Sequence, residues 1–226
     1  NPGSLPSPPR IWSLDVSSGQ TAPLYKDSNV LGYSPTFSPD GKRVAFFNSD
    51  LRGIHVLELE TLTEQLLPSW TGLVGEWSPD GQHMLYNEFK ISTERQFTIT
   101  YDVDLIAKET RPLFDPDQEH AWGEAIGIPT WQPTNNWLAL SARPNNSGAA
   151  AQLWLVRSDG TDGHAIASDP QYTYGAYRWQ PAGKQIVYQR FALNQAFAAP
   201  SVLVYDLATN STHLVRNNAS NPQWLP

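Results

Sequence analysis

The chain contains no cysteine and only 15 Lys and Arg residues against 22 Asp and Glu, and both shortages exclude classes of function. Without cysteine there is no disulfide, no thiol nucleophile and no cysteine-ligated zinc site, although this absence does not choose between a reducing and an oxidising compartment. The formal net charge is −7 and the isoelectric point is about 5.1. Because nucleic-acid binding needs clustered Lys and Arg to neutralise phosphates, we expect no nucleic-acid partner.

Long hydrophobic runs are also missing. No apolar segment approaches the roughly 20 residues that span a bilayer, and the first residues lack the charged and apolar regions of a signal peptide. We therefore expect no membrane insertion within this chain. Residues 1–9 contain four Pro, which predicts a linker that would suit a tether from an upstream membrane anchor. Residues 10–226 are predicted to form one domain, since closed all-β folds commonly reach this length.

Common catalytic motifs are absent as well. The sequence has no Gly-x-Ser-x-Gly elbow, no His-Glu-x-x-His zinc helix, no phosphate loop and no dinucleotide-binding loop. We therefore predict that the chain is not an enzyme and that it needs no cofactor.

What the sequence does have is one short phrase that occurs five times. The copies are PTFSPDG at residues 35–41, GEWSPDG at 75–81, PTWQP at 129–133, YRWQPAG at 177–183 and PQWLP at 222–226. Their aromatic anchors, Phe37, Trp77, Trp131, Trp179 and Trp224, are 40, 54, 48 and 45 residues apart. This spacing is typical of one four-stranded β-propeller blade per repeat.

Each complete phrase predicts a β-hairpin, because Pro, Asp and Gly favour a turn between the anchor strand and a second, apolar strand. The second strands are predicted at residues 43–47, 83–86, 137–140 and 185–188. Third strands follow at residues 11–15, 54–58, 99–104, 153–157 and 202–206, each before a polar turn and a short outer strand. Each unit is thus predicted to contain four antiparallel strands.

Residues 37–46 (FSPDGKRVAF) resemble the TolB-like β-propeller repeat, the Pro-Asp relative of the Trp-Asp repeat. The resemblance covers nearly the whole chain, is strongest in the first two units, and weakens at residues 133–136 and 181–183, where the Pro-Asp-Gly is replaced. It implies an all-β propeller and an extracytoplasmic location, periplasmic or at the cell surface.

Counting strands predicts about five blades. The first strand of the fifth unit lies at the C-terminus and its third and fourth strands lie within residues 11–24, so the closing blade would be split between the termini and have three strands. Alternatively, the chain is a piece of a longer protein with further strands or blades outside residues 1–226.

The loops that join consecutive blades open on one face of a propeller, which makes that face the expected ligand site. The aromatic candidates there are Tyr33, Trp70, Trp122, Tyr172 and Tyr174. Glu76 and Arg178 join them, because both occupy the position just before an anchor and would point toward a central channel. The alternative is that the rings pack between blades and that the charges are solvated.

A second candidate surface is apolar. Residues 191–199 contain Phe191, Leu193 and Phe197, which predict contact with a protein partner. In contrast, the acidic residues 115–120 offer carboxylates and an imidazole that could bind a metal ion, but Pro116 interrupts any loop spacing of the EF-hand kind, and we predict no metal site.

Together these patterns predict a non-catalytic propeller that binds or scaffolds proteins, as part of a larger anchored or multi-subunit protein. The alternatives are a propeller that binds a glycan or small ligand, a glycoside hydrolase using Glu76, Asp102 and Glu124, and a propeller associated with a peptidase domain.

Overall fold

The computed structural model describes residues 10–25, 31–48, 50–91, 96–144, 148–195 and 198–225. Within these ranges the chain forms β-strands and no helix, which confirms the all-β prediction. The chain divides into two compact units, Asn1–Gly75 and Glu76–Pro226, and each is described by itself. The predicted linker and Phe197 lie outside the described residues, and the prediction of a single domain stays a prediction.

The first unit contains one four-stranded antiparallel sheet in the order β3-β4-β5-β6 and a separate antiparallel pair, β1-β2. The strands are β1 (Trp12–Leu14), β2 (Thr21–Pro23), β3 (Tyr33–Phe37), β4 (Arg43–Asn48), β5 (Gly53–Glu58) and β6 (Glu64–Pro68).

The second unit contains three further antiparallel sheets. The first sheet has β7 (Glu76–Trp77), β8 (His83–Ile91), β9 (Gln96–Asp104) and β10 (Glu109–Pro112). The second sheet has β11 (Glu124–Ala125), β12 (Thr130–Trp131), β13 (Trp137–Arg143), β14 (Gln152–Arg157) and β15 (His164–Ala167). The third sheet has β16 (Tyr172–Trp179), β17 (Gln185–Ala192), β18 (Ser201–Asp206) and β19 (Ser211–Arg216). Strands that follow each other in the chain are neighbours in each sheet, except that β11 and β12 both pair with β13.

The core lies on the middle strands of each sheet, as their Val, Ile, Leu and aromatic content predicts. In the first unit, Val44, Phe46 and Leu57 form a buried cluster. In the second unit, the largest cluster joins β13 and β14 to the sheet β16–β19 through Leu153, Trp179 and other side chains. The outer strands β10 and β19 are exposed throughout, since each covers only the edge of its sheet.

The hairpin turns form as the Ser-Pro-Asp-Gly sequence predicts. In both copies the Ser Oγ donates to the Asp Oδ1 at 2.6 Å, and the Gly has a positive φ that L side chains rarely adopt. In the sheet β16–β19 the Gln180 N–H donates to the Gln185 carbonyl and the Gly183 N–H to the Gln180 carbonyl, so the turn closes in the same way although Ala182 replaces the Asp.

Two predicted features differ in the structure. Tyr172 and Tyr174 were predicted to lie in a loop that joins two blades, but they belong to β16, which begins at Tyr172 because its backbone pairs with that of β17 as far as Ala192. In addition, residues 222–225 pair with no strand of the described part of the chain. The described part of the chain contains four sheets of blade topology, and the predicted five blades are not confirmed.

Candidate functional site

The end of the β3–β6 sheet, where β4 turns into β5 and where β6 ends, exposes several apolar side chains of the first unit. Trp70 is 70% exposed and Tyr33 is 41% exposed, and Leu51 and Leu73 are also exposed. The Arg52 guanidinium lies over the Trp70 ring, 4.6 Å from its centroid. We name these five residues the Trp70 surface.

Backbone hydrogen bonds hold this surface in place. The buried Asn48 side chain accepts the N–H groups of Asp50 and Leu51 through its Oδ1, at 2.9 and 3.1 Å. The N–H of Ser69, which is fully buried, donates to the Arg52 carbonyl at 3.2 Å. Arg52 itself has a φ of 49°, a left-handed conformation that costs energy for a residue with a Cβ. The turn that presents the Arg52–Trp70 pair is therefore preorganised.

Glu76 and Arg178 lie on β7 and β16 of the second unit, each just before its anchor Trp. Burial raises the pKa of the Glu76 carboxyl above its ordinary value, and the positive charge of Arg178 acts in the opposite direction. Arg178 is exposed and its Nη1 donates to the Tyr177 carbonyl at 2.9 Å. These two predicted site residues therefore interact electrostatically, although no ion pair closes between them.

Three predicted ligand-binding aromatics have different environments. Trp122 is only 3% exposed and stacks on the His120 ring, with a centroid distance of 4.5 Å. Tyr174 is also buried, and its hydroxyl accepts the Asp169 N–H at 3.1 Å. Tyr172 is half-buried under the Arg190 guanidinium. Trp122 and Tyr174 thus pack in the core, while Tyr172 and Arg190 form a cation–π pair.

Phe191 and Leu193 lie at the end of the β16–β17 hairpin. Phe191 is paired with Thr173 in the ladder, and the Leu193 N–H donates to the Gln171 carbonyl at 3.0 Å. Phe191 is 37% and Leu193 50% exposed, so both present apolar area to solvent. Their predicted role in partner contact stays a prediction.

A cleft of about 830 Å³ opens in the second unit. One wall is formed by residues 96–100 of β9, and the others by the segment 114–120, by residues 122–125 around β11, and by Arg143 on β13. Glu124 reaches across the cleft, and its Oε1 accepts the Thr98 N–H at 3.0 Å. Sequence analysis named Glu124 only as an available acid and missed its contact with β9.

The carboxylates considered for glycoside hydrolysis have separate partners. Asp102 is buried; its Oδ1 lies 2.9 Å from His83 Nδ1, and its Oδ2 lies 3.2 Å from Arg111 Nη2. Glu124 binds the Thr98 N–H, and Glu76 interacts with Arg178. The carboxylates of Asp102, Glu124 and Glu76 thus each interact with a different set of groups.

The acidic segment 115–120 is folded on itself. The Asp115 Oδ1 accepts the Asp117 N–H at 3.0 Å, and the Asp115 carbonyl lies 3.1 Å from His120 Nε2. Among the described residues, no group of three or more His, Asp or Glu side chains is placed to hold a metal ion. The described part of the chain also has no helix that is long and apolar enough to cross a membrane.

Comparison with known proteins supports the propeller resemblance. No family model matches the chain. Over 62 residues the chain is 39% identical to the Tol-Pal system protein TolB of Alcanivorax borkumensis, a match that covers 25% of this chain and 14% of that protein.

Two solved structures share the fold over almost the whole chain. The oligogalacturonate lyase of Vibrio parahaemolyticus has a TM-score of 0.68 at 16% identity, covering 92% of this chain and 58% of the lyase. TolB of Acinetobacter baumannii has a TM-score of 0.64 at 17% identity, covering 92% of this chain and 49% of that TolB. The chain therefore has a β-propeller fold and spans about half the length of these proteins. At such identities the likeness extends to the fold alone.

Proposed function

We propose that this chain is a non-catalytic β-propeller module that binds a protein partner, and that the Trp70 surface is its principal contact. The observation that carries the proposal is the exposure of Trp70 under the Arg52 guanidinium, at a sheet end that also exposes Tyr33, Leu51 and Leu73. Trp, Tyr and Arg are the residues most enriched among binding hot spots. The aromatic rings of Trp and Tyr bury a large apolar area, and each carries a polar group that can find a partner.

The proposal also covers the cellular location of the chain and the larger protein to which it belongs. The TolB-like repeat and the TolB match support an extracytoplasmic, periplasmic or cell-surface protein that belongs to a larger anchored or multi-subunit protein. The net charge of −7 favours a partner with a basic surface, since complementary charge speeds association and suppresses wrong partners. Phe191 and Leu193 form a second exposed apolar contact in this proposal.

The test compares two exposed tryptophans of the first unit. The chain with Trp70→Ser, the chain with Trp12→Ser and the unchanged chain are each used to capture proteins from an extract of the source organism. Trp12 is 58% exposed on β1 and serves as the matched control, because its substitution removes the same side chain from a different surface. The captured partner is then purified, and its affinity for each chain is measured by calorimetry.

We expect Trp70→Ser to weaken the purified partner's binding about 30-fold or more, the effect of losing one hot-spot residue of about 2 kcal/mol. Trp12→Ser should leave the affinity unchanged. Equal affinity for all three chains would refute the Trp70 surface. A chain with Phe191→Ser, measured in the same series, identifies the alternative contact if it alone loses the partner.

A glycan-binding function is the alternative that the same samples test. The unchanged chain is applied to an array of acidic and neutral oligosaccharides, including oligogalacturonates. Specific binding of a glycan, together with no captured protein, would replace the protein-binding proposal.

A further inference from the structure

β8 and β9 form a hairpin that extends beyond β10, the short strand that pairs with β9. β9 has nine residues, but β10 pairs only with residues 101–104 of it. Among the described residues, no strand pairs with residues 96–100 on the side away from β8. The Leu113 N–H already donates to the Thr100 carbonyl at 2.8 Å. β9 therefore has an open edge of four residues, 96–99, about 13 Å of extended chain.

The backbone groups of this edge point into the cleft. In an antiparallel ladder, alternate residues direct both N–H and C=O to the same side. The Leu113 N–H donates to the Thr100 carbonyl at 2.8 Å, so the Thr100 groups point away from β8. Gln96 and Thr98 share that orientation, which agrees with the Thr98 N–H reaching Glu124. Open edges of this kind are templates for strand addition.

Glu124 occupies the place of a neighbouring strand. Its Oε1 accepts the Thr98 N–H as the carbonyl of a paired strand would. A carbonyl arriving on an added strand can replace this carboxylate, because both are acceptors for the same donor. The released carboxylate then lies beside the added strand and can pair with a basic side chain.

The charge of the cleft favours the same ligand. Asp115, Asp117 and Glu124 contribute carboxylates to the lining, and Arg143 contributes a guanidinium. The balance is negative, so the cleft attracts a peptide with Lys or Arg side chains and disfavours an acidic one.

We propose that the open edge of β9 binds an extended, basic peptide segment of a partner protein, which adds as a strand in the cleft and places a Lys or Arg side chain beside Glu124. This site lies in the second unit and is argued from residues other than the Trp70 surface, so the two proposals fail independently.

The test uses the full chain and three synthetic seven-residue peptides. The first alternates Val and Lys, the second alternates Val and Glu, and the third is the Val-Lys peptide methylated at every backbone nitrogen. Methylation keeps the charge but removes the donors that a ladder needs. Affinity is measured by fluorescence anisotropy, and hydrogen exchange of the Gln96 amide is measured by NMR.

We expect the Val-Lys peptide to bind and to slow exchange at Gln96, and the other two peptides to bind at least tenfold more weakly. Glu124→Gln should weaken the Val-Lys peptide about fivefold, since it keeps an acceptor oxygen but loses the charge. Glu109→Gln is the matched control, because Glu109 is an exposed acid on β10, in the sheet that contains β9, and lies outside the cleft lining. It should leave the affinity unchanged.

Three results would overturn the proposal. Equal binding of the methylated peptide would mean attraction by charge without strand pairing. Unchanged exchange at Gln96 in the presence of saturating Val-Lys peptide, or no binding of that peptide, would mean that Glu124 only blocks an edge that would otherwise aggregate. The peptide comparisons need no variant, so they decide the question even if Glu124→Gln disturbs folding.

Discussion

Tryptophans at one repeat position make different hydrogen bonds in neighbouring parts of the second unit. The Nε1 of Trp179 donates to the Thr130 carbonyl at 3.0 Å, and that of Trp224 to the Arg178 carbonyl at 3.1 Å. Each acceptor is the residue just before the preceding anchor. Trp131 occupies the same position, yet its buried Nε1 has no partner among the described residues. The sheet-to-sheet hydrogen bond therefore forms at Trp179 and Trp224 but, within the described part of the chain, not at Trp131.

The largest expected effect is that of Trp179→Phe. The substitution removes part of a buried ring from the cluster around Leu153 and Tyr188 and leaves the Thr130 carbonyl without its donor. We expect the free energy of unfolding to fall by about 3 kcal/mol, the sum of a cavity and a lost buried hydrogen bond. Urea unfolding followed by tryptophan fluorescence and circular dichroism measures it. A loss below about 1 kcal/mol would mean that the packing relaxes around the smaller ring.

Tyr177→Phe isolates hydrogen bonding from packing. The buried Tyr177 hydroxyl accepts the Ser141 N–H at 3.2 Å and donates to the Ile128 carbonyl at 3.0 Å, which joins two sheets of the second unit. The ring stays, so only these bonds are lost. We expect a loss of about 2 kcal/mol in the same unfolding measurement, because both backbone groups lose their partner. An unchanged unfolding midpoint would show that water replaces the hydroxyl.

Trp131→Phe is the matched control for Trp179→Phe. It makes the same chemical change at the same repeat position but breaks no hydrogen bond recorded among the described residues. Removing an unpaired buried N–H partly offsets the lost apolar area, so we expect a loss under about 1 kcal/mol. If Trp131→Phe costs as much as Trp179→Phe, the hydrogen bond does not distinguish the two anchors.

The smallest expected effect concerns the hairpin turns. Two of these turns contain a carboxylate, that of Asp40 or Asp80, whereas the turn at Gln180 has none. Hydrogen bonds from Ser78 and from the Gln82 backbone lower the pKa of Asp80, and those from Ser38 and Lys42 lower the pKa of Asp40. A carboxyl whose folded pKa is depressed stabilises the fold above its unfolded pKa, near 3.9, and this contribution is lost as pH falls through the folded pKa.

We therefore expect the melting temperature to decrease from pH 5 toward pH 2.5, and the Asp40→Asn, Asp80→Asn double variant to lose less over that interval. Thermal melts by circular dichroism measure both. The turn at Gln180 has no such carboxylate and should not contribute. Parallel curves for the two proteins would exclude the turns as the source of acid sensitivity.

Much of the fold could be predicted from the repeat. The third strand at residues 153–157 lies within β14, and the turn at residues 39–41 forms as expected, because apolar content and Pro-Asp-Gly chemistry act over a few neighbouring residues. The exposure of the candidate site residues could not be predicted in this way. Trp70 and Trp122 are both tryptophans in predicted loops, yet one is exposed and the other is buried against His120 and Phe114.

The sequence determines which segments pair, since hairpin turns and strand propensity are local properties of the chain. The Arg52–Trp70 contact, the burial of Trp122 and the open edge of β9 depend instead on where distant segments end in space. β9 has an open edge because β10 stops at Pro112, while Glu124, 26 residues beyond Thr98 in the chain, reaches back to it. No local pattern encodes such a distance, so the two surfaces proposed for binding emerge only once the strands are packed.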